Sequence, residues 1–175
     1  MKSASEITEE WIYNCIDVKK LKNALAVLSS DPSKKSLKRI AEERLSLLEK
    51  GPTSSQKAEA EATRKKGNDC VTNKDYPGAL AYYTESIKKD PTEASGFSNR
   101  SLMHYKSGNY KRALDDANRA ILVNKEYLRG YQRRAEALLA LGEYQKAYGT
   151  LKAILKKDPA NKSVFINSSN ISIGY

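Results

Sequence analysis

A tyrosine followed three positions later by an alanine occurs three times in this chain, at a constant interval of 34 residues. The pairs are Tyr76 with Ala79, Tyr110 with Ala113, and Tyr144 with Ala147. Such a period indicates structural repeats, each a pair of helices that can bury its apolar face only against a neighbouring pair. We therefore expect a solenoid of stacked helix pairs.

The chain aligns with itself without gaps as three repeats, residues 60–93, 94–127 and 128–161. The first helix of each repeat is expected to end near Asn73, Gly108 or Gly142, because these residue types tolerate a left-handed turn. The second helix of each repeat should begin at the tyrosine. The helical pattern also predicts that Tyr82, Tyr83 and Tyr105 are core residues.

Residues 1–50 are predicted to form an N-terminal helical segment, because apolar residues recur there at helical spacing. The stretch GPTSSQK, residues 51–57, has the composition of a linker. The repeat domain then covers residues 58–161, and residues 162–175 are predicted to form an irregular tail. The fold class is therefore all-α: a helix-turn-helix solenoid of three repeats, preceded by a short N-terminal helical segment.

Composition and spacing argue against several functional classes. The sequence has no apolar run of the length of a signal peptide or a membrane span, which predicts a cytoplasmic protein with no membrane partner. Cys15 and Cys70 match no metal-ligand spacing, so we expect free thiols and no metal or other cofactor. His104, the only histidine, has no nucleophile or acid at a suggestive spacing, and no glycine-rich phosphate loop is present. We therefore expect no enzyme.

The net charge of +10 is compatible with nucleic acid, an anionic membrane or an acidic peptide as partner. In an array of helix pairs the first helices line the concave surface, and residues four apart on one helix project side by side. Polar candidates on these helices are Arg64 and Asn68 in the first repeat, Asn99 in the second, and Arg129 and Arg133 in the third.

These five side chains suit the recognition of carboxylates. A guanidinium group binds a carboxylate through two parallel hydrogen bonds, and asparagine amides add neutral donors. A chain terminus that ends in an acidic residue presents two carboxylates close together. The pattern therefore predicts a two-carboxylate site for an acidic peptide C-terminus, with an affinity near micromolar, about −8 kcal/mol, that weakens as salt rises.

In KKGND, YTESI, SNRSL and RGYQRRAEALLALGEY the chain resembles the carboxylate-clamp co-chaperones of the tetratricopeptide repeat (TPR) family. The resemblance covers roughly residues 58–161. It implies that the groove binds the C-terminal EEVD peptide of heat-shock proteins 70 and 90. It also implies that Arg64, Asn68 and Asn99 hold the terminal carboxylate, that Arg129 binds the last aspartate side chain, and that Arg133 binds the peptide just upstream. The family usually has lysine where Arg64 and Arg129 stand.

The predicted function is therefore that of a co-chaperone adaptor that tethers heat-shock protein 70 and/or 90 to a client or assembly complex. Residues 1–50 resemble the N-terminal segment of family members that serve axonemal dynein assembly. The alternatives are a scaffold for other acidic peptides and a basic RNA-binding module, which only the net charge supports. We expect a monomer with weak self-association through the last repeat. The sequence does not identify the preferred chaperone.

Overall fold

The structure of the protein is a computed structural model in which residues 2–161 are described. This part of the chain is all-α and contains two short 3-10 turns, Ala4–Glu6 and Pro32–Lys34. Its α-helices are α1 (Glu9–Asn14), α2 (Val18–Ser29), α3 (Lys35–Lys50), α4 (Ser54–Thr72), α5 (Tyr76–Lys89), α6 (Ala94–Lys106), α7 (Tyr110–Val123), α8 (Leu128–Ala140) and α9 (Tyr144–Lys157). The predicted fold class is confirmed. The predicted tail, 162–175, lies outside the described residues.

Contacts divide the chain into two compact units. The first comprises Met1–Thr63 and Glu85–Thr92, and the second comprises Arg64–Thr84 and the described residues from Glu93 onward. The division falls within α4 and within α5, so it does not coincide with the repeat boundaries. The domain limits expected from composition, at 1–50 and 58–161, remain a prediction.

A buried arginine connects helices of the first unit. Arg44 on α3 is 1% exposed. Its Nε donates to the carbonyl of Cys15 at 3.2 Å, and its Nη1 donates to the carbonyl of Ile87 at 3.0 Å. Four residues after Ile87 the chain has Pro91, which has no N–H to donate to that carbonyl. Arg44 therefore takes the place of the missing donor and fixes the N-terminal helices to the end of α5.

Most of the segment 51–57, which the composition predicted to be a linker, is helical. Gln56 Oε1 accepts the backbone N–H of Thr53 at 2.8 Å, and Thr53 Oγ1 accepts the backbone N–H of Gln56 at 3.2 Å. This reciprocal pair is a capping box, which satisfies donors at a helix start. Helix α4 consequently begins at Ser54, and the non-helical part of the predicted 51–57 linker is limited to 51–53.

The second unit contains the turns between paired helices. The second helices begin at Tyr76, Tyr110 and Tyr144, as predicted. Gly108 and Gly142 close their first helices with φ of 74° each, but in the first repeat the left-handed residue is Lys74, with φ of 59°, and not Asn73. The backbone N–H of Asp75 bonds to the carbonyl of Cys70 at 2.8 Å, and the same five-residue link closes the other two repeats. That shared turn requires positive φ at position 74.

Tyrosine burial also departs from the prediction in one place. Tyr83 is 2% exposed and belongs to the core, whereas Tyr82 is 38% exposed and the prediction that it is a core residue is wrong. Adjacent helical residues point about 100° apart, so only one of the two can face the packed side. Tyr105 is partly buried and packs against Tyr110, with ring centroids 5.4 Å apart.

A buried ion pair joins α6 to α7. Asp116 is 1% exposed, and Arg100 donates to both of its carboxylate oxygens, from Nε at 2.7 Å and from Nη2 at 2.8 Å. Arg119 Nη1 adds a further bond at 3.0 Å. His104 Nε2 lies 3.9 Å from the same carboxylate. Two cations thus compensate the buried charge of Asp116, whose desolvation is costly.

We predict that Asp116→Asn lowers the free energy of unfolding by about 3–5 kcal/mol, because Arg100 would remain buried without its counter-ion. Urea denaturation followed by circular dichroism measures this change. Asp115→Asn removes the same charge from the exposed neighbouring residue and should alter stability by no more than about 0.5 kcal/mol. Equal losses in the two variants would contradict this role of the ion pair.

Candidate functional site

The five predicted site residues lie on the first helices of the repeats, all within the second unit. Arg64 and Asn68 are on α4, Asn99 is on α6, and Arg129 and Arg133 are on α8. Helix α6 packs against α7 and also against α8. First helices of successive repeats are therefore neighbours, as a groove built from them requires.

Asn68 and Asn99 are in direct contact. Oδ1 of Asn68 accepts a hydrogen bond from Nδ2 of Asn99 at 3.2 Å and a second from the hydroxyl of Tyr83 at 2.8 Å. Since an amide oxygen accepts two such bonds, its capacity as an acceptor is filled. The Asn68 amide therefore presents only N–H donors to an incoming group, and the Asn99 amide is oriented with its Nδ2 toward Asn68. Two amides oriented as donors suit a carboxylate ligand.

Tyr83 contacts the candidate site through its bond to Asn68, although helical spacing predicted it only as a core residue. Burial raises the pKa of its phenol above the ordinary value, and the positive charge of Arg64 offsets part of that rise. The hydroxyl therefore stays protonated at neutral pH and remains a donor to Asn68. Arg64 lies four residues before Asn68 on α4, one helical turn away along the same helix.

Gly67 allows the tyrosine ring to reach this position. A Cβ added at Gly67 would lie 2.6 Å from Cε1 of Tyr83, which is closer than real contacts permit. A glycine inside a helix, directly before Asn68, was the signal in the sequence for a close approach of another group. The absence of a side chain at Gly67 thus supports the orientation of Asn68.

The two remaining cations, Arg129 and Arg133, are in the third repeat and differ in exposure and in bonding. Arg129 is exposed in the first turn of α8 and makes no hydrogen bond or ion pair within the part of the chain that is described. Arg133 is half-buried, and its Nη1 lies 2.7 Å from Oε2 of Glu136, one turn further along α8. Glu136 is acidic, and it is therefore not among the cations and amides that the sequence pattern predicts for a carboxylate site.

We predict opposite effects of Gly→Ala substitutions at two helical positions. Gly67→Ala should lower the free energy of unfolding by about 1–3 kcal/mol, because the new methyl group overlaps the buried Tyr83 ring. Gly149→Ala, where nothing lies within 4 Å of the added Cβ, should instead raise it by about 0.5–1 kcal/mol through helix propensity. Thermal and urea denaturation check both values. A stabilising Gly67→Ala would contradict the proposed close packing.

Metal-binding clusters and membrane-spanning helices are both absent among residues 2–161. No group of three or more His, Cys, Asp and Glu side chains in this range is arranged to hold a metal ion. No helix in the same range combines the length and the apolar character needed to cross a membrane.

Helix pairs that recur every 34 residues, with polar side chains on the first helix of each pair, define a helical-repeat protein. A family model described as "Tetratricopeptide repeat" matches residues 64–128 and again residues 100–162. The chain belongs to the tetratricopeptide repeat family.

Relatives of known function match the repeat region. Serine/threonine-protein phosphatase 5 of Homo sapiens is 37% identical over 103 residues, which are 59% of this chain and 21% of that protein. The Hsp70-Hsp90 organizing protein of Triticum aestivum is 34% identical over 105 residues, 60% of this chain and 18% of that protein. The chain thus spans about a fifth of the length of these relatives.

Solved structures of TPR domains have a similar fold. The first TPR domain of Spaghetti (RPAP3), bound to the HSP90 peptide SRMEEVD, is 28% identical with a TM-score of 0.64, covering 69% of this chain and 96% of that one. The TPR2B domain of yeast Sti1 in complex with an Hsp70 peptide is 36% identical with a TM-score of 0.58, covering 63% of this chain and 90% of that one.

Proposed function

We propose that this protein is a co-chaperone adaptor whose TPR groove binds the acidic C-terminal peptide of heat-shock protein 70 and/or 90. The observation that carries the proposal is the contact between Asn68 and Asn99, in which Asn68 is fixed as a hydrogen-bond donor beside Arg64. Related TPR domains of similar fold are bound to such peptides. The five site residues have the residue types and spacing that this ligand requires.

In this proposal the two ends of the groove have separate roles. Arg64, Asn68 and Asn99 hold the terminal carboxylate through one cation and two amides. Arg129 binds the side chain of the last aspartate, and Arg133 binds the peptide just upstream. Each charge-assisted hydrogen bond contributes about 1.5–3 kcal/mol, and ordering costs reduce the total to an affinity near micromolar.

The mechanism is tethering and involves no catalysis. Binding of a chaperone tail raises the local concentration of the chaperone near whatever the N-terminal helices contact. Within the first unit Arg44 on α3 donates to the carbonyls of Cys15 and Ile87, so it connects those helices to the end of α5. The proposal places this activity in the cytoplasm. The service to axonemal dynein assembly and the weak self-association remain predictions.

We predict that the purified chain binds SRMEEVD with micromolar affinity and that a C-terminal amide on the peptide abolishes the binding. Arg133→Ala should weaken binding by about 2 kcal/mol, because a charge-assisted bond to the peptide is lost. Isothermal titration calorimetry measures both effects. Lys111→Ala, which removes one positive charge from the exposed surface of α7, is the matched control and should leave affinity nearly unchanged.

Undiminished binding of the amidated peptide would contradict the terminal-carboxylate role of the amide pair. Absence of binding to SRMEEVD and to SGPTIEEVD, the Hsp70 peptide held by the second TPR domain of human RPAP3, would contradict the proposed function as a whole. In that case binding to RNA with steep salt dependence would favour the basic RNA-binding alternative.

A further inference from the structure

The ion pair between Arg133 and Glu136 lies on the face that the proposed peptide would occupy. Nη1 of Arg133 and Oε2 of Glu136 are 2.7 Å apart, and the two side chains are 24% and 30% exposed. Partial burial reduces screening by water and salt, so the pair is stronger than an ordinary exposed pair on a helix. The half of the site formed by the third repeat therefore contains its own carboxylate.

The repeat register identifies the surface on which Glu136 stands. Glu136 follows Asn68 by two repeat lengths of 34 residues, and Arg133 follows Asn99 by one. Equivalent positions in stacked repeats project from the same face of the array. Asn68 and Asn99 contact each other across α4 and α6 on that face. Glu136 thus occupies the same position in the third repeat as Asn68 does in the first, where the side chain is a hydrogen-bond donor.

Resting on the proposed function, we infer that Glu136 is a specificity-determining residue, an internal counter-ion that occupies Arg133 and competes with the peptide for it. A peptide carboxylate that reaches Arg133 has to share the guanidinium with Glu136 or displace it. Either route brings two negative charges close together or gives up an existing ion pair. Glu136 therefore weakens binding of acidic peptides and reduces the advantage of an acidic residue over a neutral one opposite Arg133.

A positioning role for Glu136 would have the opposite sign. If the carboxylate served mainly to hold Arg133 in a productive orientation, its removal would weaken peptide binding. Competition predicts tighter binding after its removal, because the positive charge of Arg133 is no longer neutralised. The direction of the change on substitution therefore distinguishes the two roles.

The test is calorimetric titration of the full chain and its Glu136→Gln variant with SRMEEVD. Glutamine keeps the size of the side chain and one acceptor oxygen, replaces the other oxygen with an NH2 donor, and removes the charge. We expect Glu136→Gln to bind about 3- to 10-fold more tightly, where tenfold corresponds to about 1.4 kcal/mol. Glu143→Gln breaks a similar pair with Lys146, three residues apart on α9, and alters the net charge equally. It should leave affinity unchanged.

Two cross-checks connect the effect to Arg133. The gain from Glu136→Gln should disappear in an Arg133→Ala background, because the cation for which the carboxylates compete is absent. In the peptides SRMEQVD and SRMQEVD one of the two upstream carboxylates has been neutralised. The gain in affinity from Glu136→Gln should shrink for the peptide that lacks the carboxylate facing Arg133. Non-additivity of this kind is what a double-mutant cycle measures.

The inference and the proposed function fail in different ways. If the wild-type chain binds SRMEEVD and Glu136→Gln binds equally or more weakly, Glu136 is no competitor and only the inference is overturned. If the variant binds and the wild-type chain does not, competition by Glu136 is supported, and the proposed function of the wild-type chain is overturned for this peptide. If neither binds, both the inference and the proposed function are overturned. Thermal denaturation of each variant verifies that the comparison is between folded proteins.

Discussion

The buried ion pair between Asp116 and Arg100 is the interaction that fixes α6, the middle helix of the candidate site. The Asp116 carboxylate accepts two hydrogen bonds from Arg100 and a third from Arg119, which fixes α6 against α7 in the middle repeat. Asn99 directly precedes Arg100 on α6, so the same bonds determine where the Asn99 amide lies. The middle repeat contacts the first through Asn99 and Asn68, and α6 packs on α8 of the third. The ion pair thus fixes the middle repeat, which contacts both the first repeat and the third.

The two halves of the groove are prepared for a ligand in different ways. In the half formed by the first two repeats, Tyr83 and Asn99 saturate the acceptor of Asn68, so the amides are donors before any ligand arrives. This arrangement lowers the ordering cost of binding. In the half formed by the third repeat, Arg133 already has a carboxylate partner in Glu136. We therefore infer that both halves contribute to affinity and that Glu136 weakens the contribution of Arg133.

Sequence periodicity predicted the helix pairs and the starts of the second helices because a 34-residue repeat fixes every stacking contact in turn. It predicted Asn73 as the left-handed residue of the first repeat, whereas the structure has Lys74 in that conformation. The hydrogen bonds of the whole turn decide which residue has positive φ, and the preference of a single residue type does not. The spacing Thr53-x-x-Gln56 indicated the early start of α4, but the composition of the segment concealed it. The roles of Tyr83 and Glu136 depend on side-chain geometry, which no periodicity encodes.

In the proposed complex the amides of Asn68 and Asn99 together receive the terminal carboxylate of the peptide. Their side-chain amide signals in a ¹⁵N-edited NMR spectrum, assigned with Asn68→Ala and Asn99→Ala variants, report this contact at the two groups themselves. We expect the Nδ2 proton signals of both residues to shift on addition of SRMEEVD and to keep their chemical shifts on addition of the amidated peptide. Equal shifts with both peptides, or no shift of either side-chain amide while the peptide binds, would contradict it.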